Sequence, residues 1–314
     1  MKLQPATTAF VFPGQGSQSV GMGKELAAAY QTARQVFEQA DAILGFSLSR
    51  LMWEGPEADL NDTVNTQPAL YVHSIAAWKT FLSLFPEFQP ARMAGHSLGE
   101  LSALTAAGAL AFEDGLRLVR RRGELMKRAG ELAPGGMAAI LGLDIPILEK
   151  ICSEASHPGE PVQVANDNCP GQVVISGAKA AVERAIELAK NAGARRAIPL
   201  AVSIAAHSPL MATIQGEWGE AVAAAPIGDA QVTVVGNVQA MSLRQAQELR
   251  EDLLAQMQGR VRWTESVRNM IGNGIRSFVE VGSGSVLIGL IRRIDSSVAT
   301  FSLGNPGDFQ AFLE

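Results

Sequence analysis

Apolar residues along this chain fall into two kinds of run. Some are short and unbroken; others are longer, with apolar positions recurring every three or four residues. Residues 8–12 form the first short run and end in Pro13-Gly14-Gln15-Gly16-Ser17-Gln18, which reads as a buried strand followed by a glycine loop. A helix is expected from about 23 to 44, with Leu26, Ala29, Tyr30, Ala33, Phe37, Ala40 and Leu44 on one face. Residues 53–66 are polar and irregular. Gln67-Pro68-Ala69-Leu70 then opens a helix to about 85, with Pro68 near its first turn, where a missing N–H does no harm. Arg92-Met93-Ala94 suits the end of a buried strand, and 101–110, rich in Ala and Leu, reads as a helix. A long helix begins at Phe112. It is acidic at its start and carries Arg117, Arg120, Arg121, Arg122, Lys127 and Arg128 further along, which complements the helix dipole.

The next stretch has its own rhythm. Strand patterns at 136–143, 162–165, 172–176 and 195–200 enclose helical patterns at 146–155 and 178–192. This β-α-β-β-α-β order is ferredoxin-like. It predicts a small domain at 132–201, inserted into a large domain formed by 1–131 and 202–314. Beyond it come helices at 209–225, 243–257, 263–273 and 286–294, and strands at 232–235 and 278–281. Alternating strands and helices predict an α/β sheet covered on both faces.

Composition narrows the class. Hydrophobic residues make up 47% of the 314 and charged residues 18%, which suits a globular chain with a large core. A net charge of −5 gives no basic footprint for nucleic acid. Cys152 and Cys169 are too few for a disulfide framework or a metal site, and fit a reducing, cytoplasmic compartment. Met1-Lys2-Leu3-Gln4-Pro5 carries no secretory signal pattern, and no apolar run is long enough to span a membrane. A dinucleotide site is not expected: glycines at 14, 16, 21 and 23 miss the G-x-G-x-x-G spacing, and no acid closes a following strand.

The chemistry gathers at Gly95-His96-Ser97-Leu98-Gly99-Glu100. A G-x-S-x-G between strand and helix is a nucleophile elbow. The turn is so tight that both glycines are needed to let strand and helix pass without a Cβ clash. Ser97 is forced to the tip, and the helix N-terminus points its unpaired N–H groups at any oxyanion formed there. A serine nucleophile needs a base. His96 is expected to turn away and pack beneath the elbow. His157 lies in a surface turn and His73 within a helix. His207, where a strand-like run gives way to a helix start, remains as the base. Asp144 and Asp167 lie between Ser97 and His207, but neither ends an apolar strand of the large domain. A dyad oriented by a backbone carbonyl and a triad both stay open.

Six motifs in order extend this picture: residues 12–18, Thr66-Gln67-Pro68-Ala69, the elbow, Arg122-Gly123 with Met126, Asn166 to Asn168 with Pro170-Gly171-Gln172, and Glu280-Val281-Gly282. Together they resemble the malonyl-CoA:acyl carrier protein transacylase family of fatty-acid synthesis, over essentially the whole chain. The resemblance implies a hydrolase-like large domain and an acyl-serine intermediate on Ser97 with His207 as base. It also implies an oxyanion hole from the N–H groups of Gln15 and Leu98, Arg122 on the malonyl carboxylate, and Gln67 lining the pocket. Arg262 falls where the family offers a backbone carbonyl to the histidine. The implied partners are malonyl-CoA and acyl carrier protein, with CoA thioester and phosphopantetheine as substrates, no metal or redox cofactor, and a monomeric enzyme. Ala205-Ala206 departs from the family, which commonly has Pro-Ser or a larger residue before the base. A serine thioesterase or hydrolase, a polyketide acyltransferase and a non-catalytic scaffold are the alternatives.

Arg122 makes sense on chemistry alone. Malonate keeps a carboxylate that a planar guanidinium can hold bidentately. Successive helical residues point about 100° apart, so Arg120, Arg121 and Arg122 cannot all face one pocket.

Overall fold

The computed structural model describes residues 3–313. Strand β1 (Thr8–Phe12) is buried along its whole length. Helices α1 (Lys24–Ala29), α2 (Gln31–Leu44), α3 (Leu48–Glu54), α4 (Glu57–Leu60) and α5 (Thr63–Leu84) follow, then β2 (Arg92–Gly95), α6 (Gly99–Ala106) and α7 (Phe112–Leu132). The β-α-β-β-α-β segment is β3 (Gly135–Leu141), α8 (Ile145–Ala155), β4 (Val162–Cys169), β5 (Gln172–Ala178), α9 (Lys179–Asn191) and β6 (Arg196–Pro199). The chain closes with α10 (Gln215–Ala224), β7 (Val234–Val235), β8 (Ser242–Leu243), α11 (Ala246–Gln256), α12 (Trp263–Gly272), β9 (Ser277–Val281), α13 (Val286–Ile294), β10 (Ala299–Leu303) and α14 (Pro306–Leu313).

The larger sheet has the order β10-β9-β1-β2-β7-β8 and is parallel except for β8, which runs antiparallel to β7. Because successive side chains of a strand point to opposite faces, β1 feeds two cores. Phe10 and Phe12 enter the core that contains α2, α5 and α7, while Ala9 and Val11 pack with Trp263, Val267 and Phe278 on the other face. The smaller sheet is antiparallel, in the ferredoxin-like order β4-β5-β3-β6, and packs α8 and α9 around a core of its own. The fold is thus α/β with a predominantly parallel sheet and a second, antiparallel one.

Several elements differ from the sequence expectation. The 23–44 helix is two helices, because Tyr30 is extended at the break, and its ring packs at a tilt against Phe309. Two short helices separated by Gly55-Pro56 precede α5, and the second of them, Glu57–Leu60, lies within the 53–66 stretch expected to be irregular. Helix α5 starts at Thr63, capped by Asp62, so Pro68 lies inside it rather than in its first turn. Proline there cannot bond the carbonyl four residues back. That carbonyl, of Val64, instead accepts from Arg120 Nη1 at 3.1 Å. Residues 209–214 form a 3₁₀ helix ahead of α10. Strand β4 runs to Cys169, with register shifts that a short apolar pattern did not reveal. Strands β8 and β10 and helix α14 were not anticipated. No helix among the described residues is long and apolar enough to cross a membrane. Met1 and Lys2, the first residues of the stretch expected to carry no secretory signal pattern, lie outside the described residues.

Candidate active site

The site forms outside the carboxyl ends of neighbouring strands of the large sheet, the usual location in open α/β sheets. The loop after β1 carries Gln15, the turn after β2 carries Ser97, and the segment after β7 carries Asn237. The elbow is as tight as its glycines imply. A Cβ on Gly95 would lie 1.9 Å from the Gly99 carbonyl, and one on Gly99 would lie 2.0 Å from the Phe12 carbonyl. Ser97 sits at φ +52°, a left-handed conformation that costs a non-glycine residue about 1–3 kcal/mol.

Two side chains converge on Ser97 Oγ. His207 Nε2 lies 2.8 Å away, and Arg122 Nη2 donates to it at 3.1 Å. His207 Nδ1–H donates to the backbone carbonyl of Gln256 at 2.8 Å, which leaves Nε2 as the acceptor facing the serine hydroxyl. The histidine is therefore oriented by a carbonyl. Asp167 instead bonds Thr264, and Asp144 precedes α8, so neither supplies a third member. The carbonyl is not that of Arg262, which accepts from Ser266. It is that of Gln256, the last residue of α11. Helix ends leave carbonyls without intrahelical partners and carry a partial negative charge, so this is a natural seat for a histidine that must accept a proton. His207 is itself at φ +57°. Its backbone is held by Met257 and by Gln163 Nε2, which reaches across from β4 to the His207 carbonyl at 2.8 Å.

Burial, reinforced by the charge of Arg122, pushes the His207 imidazole down to about 3. Arg122 is itself buried, and burial brings its guanidinium down to about 10, still a cation near neutrality. It donates to Gln67 Oε1 and Gln256 Oε1, both at 2.9 Å. Among the described residues no carboxylate lies within ion-pair distance of it. Its neighbours go elsewhere, as the helical spacing demands: Arg120 to Glu124 and Arg121 to Glu217. Gln67 Nε2 donates to Thr63 Oγ1, which donates in turn to Gln15 Oε1, so the glycine loop is tied to the arginine through α5. Gln15 and Leu98 follow β1 and cap α6, and neither backbone N–H has an acceptor among the described residues. His96 turns away from the site: Nε2 bonds Asn168 Oδ1 at 2.8 Å and its ring meets the edge of Trp263. His73 is buried on α5 and bonds the Gly304 carbonyl, while His157 is exposed.

Sequence reasoning missed the residues that brace the elbow from behind. Asn237 Oδ1 accepts from Ser97 N–H at 2.8 Å, and its Nδ2 donates to the Gly95 carbonyl at 2.7 Å, clamping both sides of the turn. Asp252 accepts from the Asn237 N–H at 2.8 Å. The Gln256 side chain bonds Arg122, the Ser97 carbonyl and Glu100. Only Glu100 carried a signal, as an acid within an otherwise apolar helix start. Among the described residues no group of three or more His, Cys, Asp or Glu side chains is placed to hold a metal ion.

The family model described as acyl transferase domain matches residues 9–301. The malonyl CoA-acyl carrier protein transacylase of Bacillus subtilis is 45% identical over 98% of this chain and 96% of its own. The chain belongs to the malonyl CoA-acyl carrier protein transacylases. A crystal structure of an acyl carrier protein S-malonyltransferase from Vibrio cholerae superposes with a TM-score of 0.93 at 41% identity, covering 97% of this chain and 99% of the other. A malonyl-transacylase in complex with its type II PKS acyl-carrier protein reaches a TM-score of 0.93 at 40% identity, with 98% of each chain covered. In this chain the structure brings Ser97, His207 and Arg122 together at the elbow.

Proposed function

We propose that this protein transfers a malonyl group from malonyl-CoA to the phosphopantetheine thiol of acyl carrier protein through an ester on Ser97, in fatty-acid synthesis. The observation that supports this reading most is Arg122, a buried cation without a protein carboxylate, in contact with the serine at the elbow. Such a group is costly to bury unless a ligand supplies the missing charge. Malonyl is an acyl group that keeps a carboxylate after its thioester is attacked.

In the first half-reaction His207 Nε2 takes the Ser97 hydroxyl proton as Oγ attacks the thioester carbonyl. The Gln15 and Leu98 N–H groups receive the oxyanion, at about 3 kcal/mol per donor. The C–S bond breaks and CoA leaves with the proton from His207. In the second, the carrier's thiol gives its proton to His207 and attacks the ester. Ser97 leaves, recovering its hydrogen. Once Ser97 is acylated its contact with Arg122 is free to be replaced by the malonyl carboxylate, while Gln67 and Gln256 hold the guanidinium's other edges. CoA thioester and phosphopantetheine enter as substrates, and the reaction calls for no metal or redox cofactor. We place the enzyme in the cytoplasm as a monomer, its two buried cysteines free. Light scattering of the purified chain tests the monomer.

The reading is tested by intact mass after separate exposure to malonyl-CoA, acetyl-CoA and methylmalonyl-CoA. The expected result is a lasting malonyl adduct that holo carrier protein removes. Rapid release of free malonate would make the protein a hydrolase, and absence of any adduct would make it a scaffold.

A pH dependence follows from the buried histidine. The base works as the neutral imidazole, and lowering its pKa extends the neutral form downward in pH. Acylation by malonyl-CoA is therefore expected to be flat between about pH 5 and 8 instead of rising through the ordinary imidazole value near 6.5. The measurement is kcat/KM for the acylation half-reaction across that range, with a midpoint between 6 and 7 as the contrary result.

Docking of an acidic carrier needs local positive charge on a chain that is net acidic. Arg195 and Arg196 are exposed at the β6 edge, whereas Lys190 is paired with Glu187. Transfer to carrier protein should weaken as salt rises, and Arg195→Glu with Arg196→Glu should weaken it further. Identical KM values for carrier at low and high salt would remove the electrostatic dock.

A further inference from the structure

Glu100 is a fully buried acid that the acyl transfer described above does not use. Its Oε2 accepts from Gln256 Nε2 at 2.5 Å, while no N–H or hydroxyl donor reaches its Oε1. The acid beside it is Asp252, on α11. Two buried carboxyl groups side by side are unfavourable as two anions, and can share a hydrogen bond once one of them carries a proton. Asp252 is already an acceptor for the backbone N–H groups of Asn237 and Val238, at 2.8 and 3.3 Å. The proton therefore belongs to Glu100, and its bearing oxygen is the one without a donor.

This assignment matters because of what Gln256 does. Its Nε2 is spent on Glu100 and the Ser97 carbonyl, so its Oε1 must face Arg122. Its backbone carbonyl, on the same residue, orients His207. The charged and titratable groups around Glu100 are Asp252 from α11 and Arg122 from α7, with His207 beyond Ser97. An ionised Glu100 would be the nearest buried anion to Arg122 and would compete for it.

We propose that Glu100 acts as a neutral carboxylic acid sharing its proton with Asp252, and that in this state it positions Gln256 so that Arg122 is offered to the substrate as a cation without a protein counter-ion. Glu100 touches neither the substrate nor the reacting atoms; it is a positioning residue. Burial first, and then the charge of Asp252, push its carboxyl well above the ordinary carboxylate range, in keeping with the geometry. The kinetic part of the proposal rests on the malonyl-transfer reading, while the protonation state does not.

The two parts are tested separately. Infrared difference spectra of wild type against Glu100→Gln at neutral pH should show the loss of a protonated carboxyl C=O band that shifts in D₂O. Loss of an ionised carboxylate band instead overturns the proposal. In kinetics, glutamine reproduces both bonds, since its Nε2 can donate to Asp252 and its Oε1 can accept from Gln256. Glu100→Gln should slow acyl-serine formation from malonyl-CoA by no more than about threefold, whereas Glu100→Leu, which takes away one acceptor of Gln256 Nε2 and the proton offered to Asp252, should slow it by about 10- to 100-fold. A glutamine variant slowed beyond tenfold overturns the positioning role, whether or not the leucine variant folds. If wild type forms no malonyl-serine, the functional reading fails and the infrared result still decides the protonation state.

Discussion

Ser97→Ala should form no acyl adduct with malonyl-CoA and should lose at least about 10⁴-fold in transfer, the scale on which removal of a serine nucleophile acts in enzymes that use one. The fold should survive. Ser97 is half-buried at the tip of the elbow, and its hydroxyl bonds only His207 and Arg122, both of which remain held by Gln256. A sharper form of the prediction uses the backbone. Alanine keeps the strain of φ +52°, whereas glycine relieves it. Ser97→Gly should therefore be equally inactive yet more stable than Ser97→Ala by about 1 kcal/mol, read from chemical denaturation. A malonyl adduct persisting on the alanine variant would assign the nucleophile elsewhere. Equal stability of the two variants would mean that the elbow carries no strain.

Arg122→Ala should reverse the order of two substrates. The guanidinium favours malonyl by a charge-assisted pair and disfavours acetyl because it then stays buried without a counter-ion. Removing it should cost malonyl transfer about 3 kcal/mol or more, over a hundredfold, and should spare or improve acetyl transfer. A general loss of folding could not produce this crossover, since both substrates would fall together. Gln67 and Gln256 each lose a donor in the variant, so Arg122→Lys is a useful companion. It keeps the charge but not the planar fork, and should recover only part of the malonyl preference. The measurement is kcat/KM for malonyl-CoA and acetyl-CoA in the three proteins. An unchanged ratio in Arg122→Ala would leave the arginine as a structural cation only.

The features legible in the sequence were those whose cause is local. The elbow is one, because sterics within five residues demand Gly95 and Gly99 and push Ser97 outward. The ferredoxin-like insertion is another, because its strands and helices each declare their own period. The divergence of Arg120, Arg121 and Arg122 follows from helical geometry alone, although the choice of Arg122 needed the family resemblance. Pro68 marks where local reasoning fails. A proline usually opens a helix, yet here Arg120, more than fifty residues away, satisfies the carbonyl that Pro68 leaves free, and the helix continues through it.

The tertiary structure alone decided how the site is held. The partner of His207 is a backbone carbonyl, which every residue possesses, so no side chain at position 256 or 262 announces it. Helix α11 had to end beside the histidine before the choice existed. Asn237 lies 140 residues from Ser97 and clamps it through an amide that any surface loop could carry. Glu100 stands next to Gly99 in the chain, but its meaning as an acid depends on Asp252 and Gln256, brought to it by a helix more than 150 residues on. By itself the sequence determined which groups could react, since that is a matter of side-chain chemistry and short-range backbone geometry. Only the fold decided which dipoles and charges surround them, because in a buried site those come from distant segments packed into contact.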